Sequence, residues 1–270
     1  MTLIYFAYAF LMTIWFGNPA PQIAAACALP IALALGANWE SRHSAPWSRV
    51  LRDWLPLLLI LAAYWELQWF ATDPSTEWET RFQGWDTWLV GSFPSWPAAI
   101  GVFCTGAIQF SYALLYALPV IYLGAIYALG TRVRAHAYLF TLFLGTFSAY
   151  LILPHIPVRS PRIAFPALLL PGVVTIFGKW NLWILDRLDI STSVFPSGHV
   201  AVAFSAAFGL MRALPERRLI WAVAFALAVC VWAATIYSRY HYSADGAASL
   251  LICIVAWRFS GRWDPLDREV

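Results

Sequence analysis

Phe195-Pro196-Ser197-Gly198-His199 runs straight into Val200-Ala201-Val202-Ala203-Phe204, a small polar knot opening onto an apolar run. Pro196 stops whatever precedes it. Ser197 can accept a hydrogen bond from backbone N–H groups one turn on, and Gly198 allows a close approach to the backbone. The stretch predicts a helix start. Free N–H groups at such a start attract anions, and His199 in that first turn can give or take a proton near neutral pH.

The apolar run belongs to a chain that is apolar almost throughout. Of 270 residues 61% are apolar and 11% charged, against roughly 25% charged in an ordinary soluble domain. That excludes a soluble globular protein and predicts an all-α, polytopic membrane helical bundle. Sixteen Trp and twelve Tyr fit many segment ends at the lipid–water interface. Cys27, Cys104, Cys230 and Cys253 lie in apolar stretches with no metal-ligand spacing and read as small buried hydrophobes. Ala24-Ala25-Ala26-Cys27 superficially matches a lipoprotein cleavage site, but no basic residue precedes it, and the N-terminus is expected to be a retained span.

A bilayer core needs roughly 20 apolar residues per helix. On that measure about eight spans are expected, at 3–16, 23–36, 54–70, 110–129, 137–154, 200–211, 219–237 and 246–257. This arrangement puts the segments 37–53, 130–136 and 212–218 and the C-terminal tail on one side, with eleven of the 17 Lys and Arg residues. Short cytoplasmic loops carry excess positive charge, so both termini are expected to be cytoplasmic. Residues 1–50 form an N-terminal hairpin in this scheme and 51–270 the main membrane domain. Residues 97–109 are expected to lie along the outer surface before the chain dives. Residues 163–185 are long enough to cross, but Pro166, Pro171, Gly172 and Gly178 break them, which predicts an interfacial or re-entrant cover.

Three polar knots fall on the non-cytoplasmic side. Pro157-Val158-Arg159-Ser160-Pro161-Arg162 offers two guanidinium groups, which grip phosphoryl oxygens in a planar fork and keep their charge. The second knot is Pro196 to His199. The third, Ser238-Arg239-Tyr240-His241-Tyr242-Ser243-Ala244-Asp245, spaces a histidine and an aspartate four apart. On a helix running through both, they share a face, and a carboxylate on one imidazole nitrogen leaves the other free to attack. Each knot alone also has a structural reading, as headgroup anchor, capped helix or boundary ion pair. Together they point to phosphoryl transfer. Glu66 is expected to pair with a site arginine or meet a headgroup, or to be a structural ion pair. His155 reads as structural and His43 and His136 as solvated. Asp186, Arg187 and Asp189 read as a surface charge cluster.

These motifs resemble those of the type 2 phosphatidic acid phosphatase (PAP2) superfamily of membrane lipid phosphatases and phosphotransferases. Pro196, Ser197, Gly198 and His199 match its middle signature residue for residue, and His241 and Asp245, followed by Gly246, match its last. Arg52-Asp53-Trp54-Leu55-Pro56 leading to Tyr64, with Pro119 inside an apolar span, is similar to the inositol phosphorylceramide synthase-like branch. Two features depart from the common pattern. The lysine-based first signature is replaced by Pro161-Arg162, and the place six residues before His241, usually arginine, holds Thr235, with Arg239 as the candidate substitute.

The resemblance implies a six-helix catalytic core in which His241 attacks phosphorus, Asp245 orients it and His199 protonates the leaving oxygen. Arg162, Arg159 and Arg239, with the Ser197–Gly198 helix start, would hold the phosphoryl group. No carboxylate cluster offers a metal site on this side, so a metal-independent reaction without cofactor is expected. The expected partners are a lipid phosphate substrate and membrane lipids, with no nucleic acid. Water as acceptor gives a phosphatase, a lipid alcohol gives a phosphotransferase, and a catalytically dead lipid-binding protein is the third reading.

Overall fold

The computed structural model of the chain describes residues 2–18, 21–26, 28, 31–32, 35–36, 46–70, 72–91, 97–130, 132–167, 173–190, 192 and 194–262. Regular structure among them is helical throughout, as expected. In chain order the helices are α1 (Thr2–Trp15), α2 (Pro46–Glu66), α3 (Thr76–Leu89), α4 (Pro97–Leu114), α5 (Leu118–Leu129) and α6 (Arg132–Ile152). They continue with the single turn α7 (Pro161–Ala164), then α8 (Ile176–Leu188), α9 (Gly198–Ala213), α10 (Arg218–Tyr237) and α11 (Ser243–Gly261).

Among the described residues, four stretches are long and apolar enough to cross a bilayer: Gly101–Leu129, Val133–His155, Arg218–Tyr237 and Ser243–Gly261. Ile4–Trp15 and Gly198–Ala213 are apolar but shorter. The expected span at 23–36 is described only in pieces, at 23–26, 28, 31–32 and 35–36. The stretch 54–70 is helical, running in α2 from Pro46 and ending in a 3-10 turn, Leu67–Phe70, but it is not among these four.

The bundle is built around α9, whose residues from Val200 to Leu210 are all buried. A helix apolar on every side buries every side, and α9 is ringed by α5, α6, α10 and α11. Close approach is a matter of small residues, as expected where packing rather than a hydrophobic drive holds membrane helices together. A Cβ on Gly145 of α6 would stand 2.0 Å from the Ser205 hydroxyl of α9, and one on Gly246 of α11 would stand 2.0 Å from Trp232 Nε1 of α10. Away from this core α10 and α11 expose Leu219, Val223, Val229, Leu251 and Val255, the apolar surface a lipid-facing helix presents.

Two expectations are corrected. Residues 97–109 are not a separate surface segment. The chain turns at Gly101 (φ 74°) and then runs as helix into Leu114. The cysteines do not share one environment: Cys253 is buried, Cys230 half-buried and Cys104 exposed on α4, while Cys27 lies outside the described residues. The largest addition is α3, a helix too polar to register as a span. Ser75 caps it by accepting a bond from Trp78 N–H at 3.4 Å, and Glu77 and Glu79 favour its positive end. The described part of the stretch 163–185 is short helix and turn. It gives only α7 and the 13-residue α8, which packs on α4 through Gln109, whose side-chain oxygen accepts from Thr175 N–H at 2.9 Å.

Candidate active site

The site begins where α10 stops. Arg239 adopts a left-handed conformation (φ 56°), with Arg239 N–H bonded to the Ile236 carbonyl at 3.1 Å and Tyr240 N–H to the Thr235 carbonyl at 2.9 Å. This is the paired bonding of a Schellman helix end, where glycine usually occupies the left-handed position. An arginine there costs roughly 1 kcal/mol or more, a strain expected where the side chain has a task. The turn throws Tyr240, His241 and Tyr242 across the end of the bundle before α11 starts.

His241 therefore lies outside the helix, not on a shared helical face with Asp245 as expected. The contact forms by another route. Asp245, one turn into α11, reaches back to accept from Tyr242 N–H at 2.9 Å, and the same Oδ2 stands 3.2 Å from His241 Nδ1. The Val194 carbonyl is 3.0 Å from that nitrogen as well.

These bonds fix the proton. A carbonyl can only accept, so His241 Nδ1 carries the hydrogen and, in the neutral ring, Nε2 carries the lone pair. His199 Nδ1 lies 3.2 Å from that Nε2 and must donate to it, and the Tyr116 hydroxyl, 3.3 Å from His199 Nε2, donates in turn. Donors thus run in one direction, from Tyr116 through His199 and His241 to Val194 and Asp245. The rings of Tyr112 and Tyr64 wall in His199, with centroids 5.1 and 6.3 Å from its own.

Burial pushes the His241 imidazole down from its ordinary 6.5 to about 4, while the Asp189 carboxylate and the Val194 carbonyl pull the other way. The unfolded chain would take up that proton near 6.5. The stability due to neutral His241 is therefore complete above that pH and is lost as pH falls toward 4. Thermal unfolding of the purified protein should show a falling midpoint over this interval, with a shallower fall in His241→Gln. Parallel curves would contradict a neutral, buried His241.

The helix start of α9 forms as the sequence predicts. Ser197 Oγ accepts from Val200 N–H at 3.3 Å, and the backbone is tied to α11 by Ser197 N–H to the Asp245 carbonyl at 3.2 Å. Gly198 has a packing reason as well, since a Cβ there would stand 3.0 Å from the Tyr150 ring.

Each arginine named from the sequence is held by a side chain outside the three motifs. Arg159 makes a bidentate pair with Glu79 of α3, at 2.8 and 2.9 Å, and its N–H adds a third bond at 3.0 Å. Burial works against ionisation of Glu79, but these bonds win and hold its carboxyl below the usual range. Arg239 is buried and donates to Gln83 of α3 at 3.1 Å. Arg162 pairs with Asp186 at 3.0 Å, lies over the Tyr240 ring and joins the third motif by a bond from its N–H to the Arg239 carbonyl at 3.2 Å. A cavity lined by Arg162, Gln109, Leu182, Ser238 and Tyr240 opens beside it. Thr235 brings no cation, its hydroxyl being turned back on the Trp232 carbonyl at 2.7 Å.

The cluster at 186–189 is not simple surface charge. Arg187 stacks outward on Trp183, but Asp186 holds Arg162, and Asp189 takes a hydrogen bond from Tyr64 close enough to the histidines to influence His241. Among the described residues Glu66 meets no arginine: it is buried at the end of α2 and neither carboxylate oxygen has a hydrogen-bond partner there. His136 is not merely solvated, since its Nε2 lies 3.3 Å from Asp53, which also accepts from Tyr127 at 2.6 Å. His155 contacts the Tyr8 hydroxyl at 3.0 Å, in keeping with a structural role, and His43 lies outside the described residues. Missed by sequence reasoning were Tyr116, Asp189 and the inner face of α3. The signal for the last was Ser75 followed by Glu77 and then Glu79, Phe82, Gln83 and Asp86 at helical spacing.

Comparison with known proteins places the chain in a family. A PA-phosphatase related-family protein of Dictyostelium discoideum is 34% identical over 73 residues, which are 27% of this chain and 13% of that protein. The aligned part is thus a small fraction of that relative. No solved structure matches the chain at a significant level. A profile of the PAP2 superfamily matches residues 80–259, a stretch that takes in most of α3 and all three polar motifs. On that extent the chain belongs to the PAP2 superfamily.

Proposed function

We propose that this protein is an integral membrane lipid phosphatase that hydrolyses a phosphate ester or diphosphate of a lipid through a phosphohistidine on His241. The observation that carries the reading is the one-way chain of donors, which leaves a lone pair on His241 Nε2 and an N–H on the facing nitrogen of His199. At 3.2 Å the two nitrogens leave no room for phosphorus, so substrate must part the rings. The incoming anion favours the imidazolium form of His199. Nε2 of His241 then attacks phosphorus, the bond from phosphorus to the lipid oxygen breaks, and that oxygen takes the proton from His199. Neutral His199 next removes a proton from water, which displaces phosphate from His241.

Asp245 and the Val194 carbonyl hold Nδ1–H throughout, fixing the tautomer and stabilising the charge that forms on the ring. The phosphoryl oxygens are held by Arg162, with Arg239 and Arg159 beside it, and by N–H groups at the start of α9. Arg159 enters such a site only by sharing its guanidinium with Glu79. Guanidinium and backbone N–H groups neutralise the transition-state charge, and the reaction is metal-independent. The excess of Lys and Arg on the 37–53, 130–136 and 212–218 segments supports cytoplasmic termini, an active site on the non-cytoplasmic face and residues 1–50 as a separate hairpin.

Transfer of a phosphoryl-headgroup to a lipid alcohol uses the same residues, and Pro161-Arg162 in place of a lysine-based first signature favours it. One assay separates the two: purified protein, excess chelator and a panel of lipid phosphates, without an added acceptor. Phosphate release at an undiminished rate is expected. Strict dependence on a lipid alcohol would move the assignment to a transferase, and loss of activity restored by metal would contradict metal independence.

A further inference from the structure

Helix α3 touches the third motif on both sides of the nucleophile. Upstream of His241, Gln83 accepts from Arg239 at 3.1 Å. Downstream, Asp86 Oδ1 accepts from Ser243 N–H at 2.8 Å and from the Ser243 hydroxyl. Between them the Phe82 ring meets Tyr242 at 5.6 Å and Phe195 at 4.9 Å, so the same helix also presses on the stretch before His199. Glu79, Phe82, Gln83 and Asp86 follow the i, i+3, i+4, i+7 spacing of one helical face, and this inward face is largely polar although Glu79, Phe82 and Asp86 are buried.

Asp86 is the member that acts on α11. Ser243 is the first residue of that helix, and its N–H has no partner within the helix. Asp245 holds the N–H of Tyr242 and Asp86 holds the N–H of Ser243. The two residues that follow His241 are therefore pinned by two carboxylates, one from α11 itself and one from α3. Asp245 can meet His241 Nδ1 only while the start of α11 keeps this position. Burial outweighs the Ser243 bonds and the Arg239 charge and keeps the Asp86 carboxyl above its usual range. The arrangement therefore uses Asp86 first as a hydrogen-bond acceptor.

We propose that Asp86 is a positioning residue for the nucleophile: by capping α11 from outside, it sets the distance between Asp245 and His241 and so the direction of His241 Nε2. The proposal rests on His241 being the nucleophile, and it concerns a residue that touches neither substrate nor the reacting atoms. An amide oxygen can accept the same two bonds, so the carboxylate charge is dispensable and the acceptor is not.

The test compares Asp86→Ala, Asp86→Asn and Ser243→Ala in the full-length protein, with rates expressed per folded molecule. Asp86→Ala should lower kcat by about 10²-fold with KM within about threefold of wild type, the loss typical of a reacting group displaced by about 1 Å. Asp86→Asn should restore kcat to within about fivefold, and Ser243→Ala, which loses one of the two bonds, should fall about five- to tenfold. In histidine-labelled protein the Nδ1–H resonance of His241 should shift in Asp86→Ala, where only the Val194 carbonyl still holds it, and keep its wild-type position in Asp86→Asn.

An alanine variant with unchanged kcat and an unchanged resonance would overturn the proposal, as would an asparagine variant damaged as badly as alanine. Should Asp86→Ala not fold, the asparagine and Ser243→Ala variants decide, and wild-type kcat in Ser243→Ala would overturn it. If no lipid phosphate is turned over by the wild type, the assigned reaction fails while the resonance comparison still decides the role of Asp86.

Discussion

Alanine at position 241 is expected to lower phosphate release by at least about 10⁴-fold while leaving the protein folded in the membrane. The size of the effect follows from the site. Nε2 of His241 is the one ring nitrogen whose lone pair faces the proton of His199, and its other nitrogen is committed to Val194 and Asp245. No neighbouring group can take over, because Ser197 Oγ is engaged as the cap of α9 and the Tyr116 hydroxyl is directed at His199. Initial rates with a lipid phosphate, normalised to folded protein, measure the loss. A residual rate within about tenfold of wild type would remove His241 from the chemistry.

Alanine at position 199 should show a loss that depends on the leaving group. With a lipid ester, whose alkoxide needs a proton, the rate should fall about 10³-fold, inside the range for general acid catalysis. An aryl phosphate such as nitrophenyl phosphate releases an anion stable at neutral pH and does not need the acid. Its first burst of nitrophenolate should survive within about tenfold, while later turnovers stop because His199 is also the base that activates water. Equal losses in burst and turnover for both substrates would contradict the acid role and leave His199 as a binding group.

The sequence was most informative where chemistry and helix starts coincide. Ser197 caps α9 as its type and position require, and the four-residue spacing of His241 and Asp245 does bring them together. The reason for that contact was not legible. The spacing describes a helical face, whereas the chain makes a left-handed turn at Arg239 and starts α11 only at Ser243, so Asp245 reaches His241 by bending back over its own helix start. A non-glycine residue in that turn has no signature in a single sequence.

Helix α3 escaped notice for a different reason. The spans were found by apolar run length, and α3 buries Glu79 and Asp86 where a span would bury leucine. Its bonds to Arg159, Arg239 and Ser243 join residues 80 to 157 positions apart, which no local pattern encodes. The same holds for Asp189, which sits in sequence beside Asp186 and Arg187 but accepts a hydrogen bond from Tyr64. The three arginines were legible as cations, but not their partners.

The central claim, a covalent phosphoryl group on His241, is tested most directly by trapping. Wild-type protein is mixed with a lipid phosphate labelled in the phosphoryl group, quenched in alkali within the first turnover and mapped by peptide mass. The expected result is an alkali-stable, acid-labile phosphoryl group on the peptide containing His241, absent from His241→Ala. Label on a serine, an aspartate or His199, or full turnover with no label on any histidine, would contradict it.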